Sequence, residues 1–188
     1  MDDLKELQER LRQQRPVEWE KMPDFSLYMD QVLSYMDRQV IRFDEDDSLT
    51  AAMVNNYTKS GLVPRAEGKK YNRDHLAYLT AICILKQVLS AKDIDLLIRE
   101  MVQGAGDIQD GYASFCSGLD RVLNATADEI DTRSNESLAY EAIHFALLSY
   151  ASHVACSRYV SLLRQQKETA ESEEKAPKGR GKKEKERD

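Results

Sequence analysis

Little in this chain favours a secreted, disulfide-built or β-rich protein. Three cysteines stand in 188 residues, Cys83, Cys116 and Cys156. They form no Cys-x-x-Cys pair and cannot all pair with one another, which argues against a disulfide scaffold or a zinc finger. Four prolines, eight glycines and four phenylalanines are too few for a sandwich or barrel of short strands. No apolar stretch opens the chain, so a signal peptide is not expected and a reduced, cytoplasmic protein is. No Gly-rich phosphate loop and no nucleophile motif occurs. Glu141-x-x-His144 has the spacing of half a di-iron site, but no second such pair exists. His144 and His153, nine residues apart, fall on opposite faces of a helix. No enzyme activity, cofactor or metal site is therefore expected, and the cysteines read as core residues.

What is present is helical material. Hydrophobic residues make up 41% and charged residues 32% of the chain, enough for a core. The net charge of −6 excludes an overall basic coat but not a local basic patch. Charge is unevenly placed. Asp44, Glu45, Asp46 and Asp47 form an acidic run, expected as a loop. From Lys59 to Arg73 the balance inverts: Lys59, Arg65, Lys69, Lys70 and Arg73 stand against Glu67 alone.

Apolar spacing places the helices. Leu4, Leu7 and Leu11 mark a narrow stripe within 2–15, a marginal or loosely packed helix ended by Pro16. After Pro23, Asp24 or Ser26 is placed to cap a helix carrying Leu27, Met29, Val32, Leu33 and Met36. Thr50 caps a short helix that stops at Gly61. A two-armed basic turn containing Gly68 leads to Tyr71. Asn72 caps the next helix, with Leu76, Leu79, Ile82, Leu85 and Leu89 inward and His75 at the surface. Ser90 and Asp93 restart the pattern, and Gly104-Ala-Gly106 breaks it. Ile108, Tyr112, Phe115, Leu119 and Val122 recur at four and three, a seam that needs a partner helix. Gly111 and Gly118 beside it imply close approach of a neighbouring backbone, a tolerated flaw or a break in the helix. Residues 138–163 hold 18 apolar residues in 26. Glu141, His144, His153 and Arg158 within them favour a buried core or dimer helix over a membrane span. From Glu168 the composition turns to Glu, Lys, Ser, Gly and Arg, expected to be disordered. Pro177–Lys183 in that tail is a nonspecific electrostatic aid at most.

The block from Ser48 to Leu97 carries the functional information. A short capped helix, a glycine stop and a basic turn place one helix edge beside one cationic loop. Such a unit suits a helix in a major groove with the loop along the phosphates. The candidate contacts are Asn55, Asn56, Thr58 and Lys59 on the helix and Arg65, Lys69, Lys70 and Arg73 after it. Asparagine can pair with adenine in the major groove, and the cations can meet phosphates.

The stretch from Ser48 to Ile98 resembles the winged helix-turn-helix of MerR-type transcription regulators. Thr50 matches the capping position, Val54 the buried aliphatic and Tyr57 the packing tyrosine. Gly61-Leu62 ends the helix, Pro64 opens the wing and Tyr71 closes it. Asn55 stands where that family carries Arg, Asn56 where it carries the first Tyr, and Lys69 where the wing carries Arg. The upstream helix of the motif has only 26–38 as a candidate, separated by a long acidic loop. More closely, "WEKMPDFSLYMDQV", "MVNNYTKSGLVP" and "YNRDHLAYLTAICILKQVLS" resemble a bacterial family of domains of unknown function described as MerR-like, over about residues 17–105.

The expected fold is all-α with a small β-wing. It comprises an N-terminal helical extension (1–23), a MerR-like DNA-binding domain (24–103), a helical dimerisation or effector region (104–168) and a disordered charged tail (169–188). The expected function is a cytoplasmic transcription regulator binding double-stranded DNA as a homodimer, with an unnamed effector and no membrane. The alternative is an interaction or scaffold protein that keeps the fold without DNA binding.

Overall fold

The computed structural model describes residues 2–39, 48–130 and 138–175. The acidic run 44–47 and the basic tail segment 177–183 lie outside them. The chain divides into two compact units, Met1–Asn135 and Glu136–Asp188.

In the first unit, α1 (Asp2–Gln13) and a single 3-10 turn (Trp19–Lys21) precede α2 (Met29–Met36), α3 (Ala51–Ser60), α4 (Arg73–Leu85), α5 (Ala91–Ala105) and α6 (Ile108–Glu129). The all-α expectation holds. The caps are local chemistry. Thr50 Oγ1, Asn72 Oδ1, Ser90 Oγ and Asp107 Oδ1 each accept the N–H three residues on, satisfying donors that a helix start leaves free. Gly61 and Gly106, at φ +78° and +100°, take the backbone out of α3 and α5. α5 thus runs through Gly104 and stops only at Gly106.

One apolar core unites these helices. Val32, Met36, Val54, Leu76, Leu79, Ile82, Ile94 and Tyr112 are all fully buried within it. α4 is its centre, covered on several sides by α2, α5 and α6. His75, expected at the surface, is buried. It sits at the third position of α4, where Asn72 N–H donates to its Nδ1 at 3.1 Å. The capping box closes over the ring and takes it out of water.

Three expectations change. α2 begins at Met29 rather than beside Asp24 or Ser26, because Leu27 is spent on pairing. Its N–H and C=O both bond Tyr71, at 2.8 and 2.9 Å. The Gln31 side chain then accepts from Tyr28 N–H. α1 is not loose. It lies antiparallel on α6, since Gln8 donates to Ala127 and Ile130 carbonyls while Arg15 reaches Asp120 and Asn124 farther back. None of its residues is buried, so polar bonds do what its narrow apolar stripe cannot. The expected boundary at 103/104 does not coincide with the observed division. α6 packs on α1, α4 and α5 inside the first unit. The first half of the Ile108–Val122 seam is consumed there, whereas Val122 is exposed. Neither glycine is required by close approach: at Gly111, which lies against α5, a Cβ would stand 3.6 Å from Val102 Cα, an ordinary contact. Nothing lies within 4 Å at Gly118.

Among its described residues the second unit is one helix, α7 (Leu138–Lys175). The tail expected to be disordered from 169 is therefore helical as far as Lys175. Glu, Lys, Gln and Ala are good helix formers, and the Thr169 and Ser172 hydroxyls bond back to the carbonyls four residues earlier. Among the described residues no helix is long and apolar enough to cross a membrane.

Tyr112 joins the turn around Val17 to the core. Its ring is fully buried and its hydroxyl donates to Val17 O at 2.9 Å. Burial pushes its phenol well above the ordinary tyrosine range, with Cys116 adding to the shift. A free phenol titrates near pH ~10 once the chain unfolds. Stability is therefore complete below that pH and falls as pH rises above it, since only the unfolded state ionises. Tyr112→Phe is expected to cost about 1 kcal/mol near neutrality through the lost bond. It should also flatten the alkaline decline in denaturant midpoint. An unchanged alkaline slope would show that Tyr112 is not the group concerned.

Candidate nucleic-acid interface

α3 is anchored by one side and displays the other. Val54 is fully buried, with Met53 and Tyr57 packed beside it. Asn55, Asn56 and Lys59 point to solvent. After Gly61 the chain is pinned twice: Leu62 and Val63 N–H both donate to Tyr57 O. Arg99 of α5 donates to Gly61 O at 3.2 Å while its guanidinium pairs with Asp95 at 2.7 Å.

The loop then folds back as a minimal hairpin. Glu67 and Lys70 exchange both backbone bonds, at 3.1 and 2.9 Å. Gly68 and Lys69 between them have φ +55° and +67°, the backbone signature of a two-residue turn with left-handed centres. Where a β-wing is expected, pairing amounts to two isolated bridges, Glu67–Lys70 and Leu27–Tyr71, and no strand occurs among the described residues. Pro64 lacks a donor, and the arms are too short to extend a ladder. His75 Nε2 faces Arg65 O at 3.3 Å, so a buried ring in α4 holds the first arm. Tyr71 is buried against the edge of that ring, with centroids 5.4 Å apart. Burial raises the Tyr71 and Tyr57 phenols above their ordinary range.

Between α3, the hairpin and the start of α2 lies an open groove of about 630 Å³. Asn55, Thr58, Lys59, Arg65 and Lys69 line its walls, and Met29, Ala51, Ala66 and Tyr71 complete it. Among the described residues, three cations and no carboxylate are in the lining. The Thr58 hydroxyl donates to Val54 O, leaving its oxygen free to accept.

Five of the eight sequence-predicted contacts thus converge, and three do not. Asn56 is exposed one residue farther round α3, outside the groove. Lys70 stands over the Tyr28 ring, 5.4 Å from its centroid, beside the groove rather than in it. Arg73 is committed elsewhere: it donates to Met22 O at 3.0 Å and Pro23 O at 3.4 Å and covers the Trp19 ring. Sequence reasoning missed Met29, Ala51 and Ala66. Their only common feature is nearness to the Leu27–Tyr71 pairing or to the α3 start.

A family model for a domain of unknown function, DUF1836, matches residues 17–115. The chain belongs to this family. The DUF1836 segment runs from the Val17 turn that Tyr112 holds to Phe115 in α6, so it takes in the groove and the core beneath it. No curated protein and no solved structure matches the chain.

Lys69 is the residue whose backbone and charge separate. A left-handed lysine costs on the order of 1 kcal/mol relative to glycine. Lys69→Gly is expected to hold or raise thermal stability, whereas Lys69→Ala keeps the strain and should not raise it. A loss of more than about 1 kcal/mol in Lys69→Gly would mean that the side chain, not the turn, shapes the loop.

Proposed function

We propose that the groove between α3 and the Glu67–Lys70 hairpin binds duplex DNA, and that residues 24–103 act as a reader of the MerR-like winged helix-turn-helix kind. The convergence of Lys59, Arg65 and Lys69 on one lining, with no carboxylate among its described residues, in a chain of net charge −6, carries this reading. α3 offers the edge that enters a major groove, with Asn55 facing base edges. The hairpin lies along a phosphate backbone. Thr50 caps α3 and Gly61 ends it, and the resemblance gives the same two positions those tasks, which supports the reading. Transcriptional regulation follows from site-specific binding of this kind.

The test is binding to labelled duplexes across a salt series. Affinity is expected to fall as salt rises, with log K declining by about 0.9 per phosphate contact in log salt. Changing Lys59, Arg65 and Lys69 together to Glu should weaken binding to all sequences and flatten that slope. Asn55→Ala should cost roughly 1–3 kcal/mol on a preferred site and little on random DNA. Arg73→Ala should lower stability and leave the salt slope unchanged. Absence of binding to any duplex at low salt would overturn the reading and favour an interaction protein.

A further inference from the structure

We infer that α7 is a self-association helix: a row of exposed apolar side chains along it pairs with the same row of a second copy of this chain. The row is Tyr140, Ile143, Leu147, Tyr150 and Val154, exposed to 72%, 54%, 62%, 69% and 50%. Their spacings are three, four, three and four. At 3.6 residues per turn they fall within a sector about 80° wide over four turns. That repeat is the seam along which helices coil around each other.

The size of the row fits a partner of its own kind. Side chains of this class carry on the order of 150–250 Å² each when aromatic and somewhat less when aliphatic, so the row presents about 600 Å². This is the upper end of what a monomer leaves as one apolar patch. Two copies face to face would bury about 1,200 Å², above the ~1,000 Å² that a specific interface needs.

Charge fits as well. The one carboxylate in this stretch, Glu141, projects about 100° away from Tyr140 around the helix. Arg158 comes one turn beyond Val154 and closes the row. Placing the row against itself antiparallel, with the two-fold axis across it near Leu147, therefore opposes no like charges, whereas a parallel pair would set Arg158 against Arg158. Among the described residues the first unit has no counterpart to it. Its exposed large apolar side chains among the described residues, Phe25, Tyr28, Val88 and Val122, are scattered. The inference stands apart from DNA binding and does not depend on it.

Sedimentation equilibrium of the full chain at 1–50 µM tests it, with a mass of twice 21.5 kDa expected. Leu147→Glu and Tyr150→Glu should each give monomer with unchanged helical circular dichroism. Val122→Glu, on α6, should remain dimeric. If Leu147→Glu aggregates, Leu147→Ala carries the test, with at least tenfold weaker association expected. A monomeric parent chain at 50 µM overturns the inference, whether or not it floats with phosphatidylcholine vesicles. So does a dimer that survives the Leu147 and Tyr150 changes undiminished.

Discussion

The two backbone bonds between Leu27 and Tyr71 are the constraint on which the first unit is arranged. They tie the segment before α2 to the residue just before α4, across forty-three positions of chain. Both side chains are buried in the common core. With that tie in place, Met29 at the start of α2 must stand beside the hairpin, and Tyr71 forms part of the groove it shares with α3. Asn72 then caps α4 from the next position, and His75 reaches back to Arg65 O. Groove and cap are arranged around this one long-range pairing, which is too short to be a sheet.

The hairpin concentrates charge at low structural cost. Four residues close the turn, and the positive φ at Gly68 and Lys69 keeps the arms adjacent. Lys59 from α3 and Arg65 and Lys69 from the loop then share one concave face with no acid among its described lining residues. Repulsion among them is tolerable because the side chains reach water and are screened within about 8–10 Å at ordinary ionic strength. A polyanion would replace that screening with direct contacts and release its counterions. Arg73, close in sequence, is diverted to carbonyls at Met22 and Pro23 and to the Trp19 ring, where its role is to hold the segment preceding α2.

Much of this was legible in the sequence wherever the deciding chemistry is local. Thr50, Asn72 and Ser90 as caps, Gly61 as a stop and the periodic residues of α4 needed only neighbours within four positions. Convergence of Asn55, Thr58, Lys59, Arg65 and Lys69 followed from a helix and a turn adjoining in the chain. The errors lie where distant segments decide. His75 looked polar and exposed until its capping partner and the Arg65 carbonyl enclosed it. α1 looked marginal because its grip on α6 is through Gln8, Arg12 and Arg15, which periodicity does not score. The α6 seam asks for a partner helix without naming it; α1, α4 and α5 of the same unit pack on α6, and Tyr112 and Phe115 join their common core.

The most direct test of the central claim is a backbone amide NMR titration of the full chain with a duplex of about 20 base pairs at low salt. Progressive shifts confined to α3 and the 61–71 loop are expected, with Asn55, Lys59, Arg65 and Lys69 moving most. The amides of α1 and of the Gly111 end of α6 should stay in place. Shifts centred on α1 or α6 with the groove silent, or a spectrum that the duplex leaves unchanged, would contradict the claim.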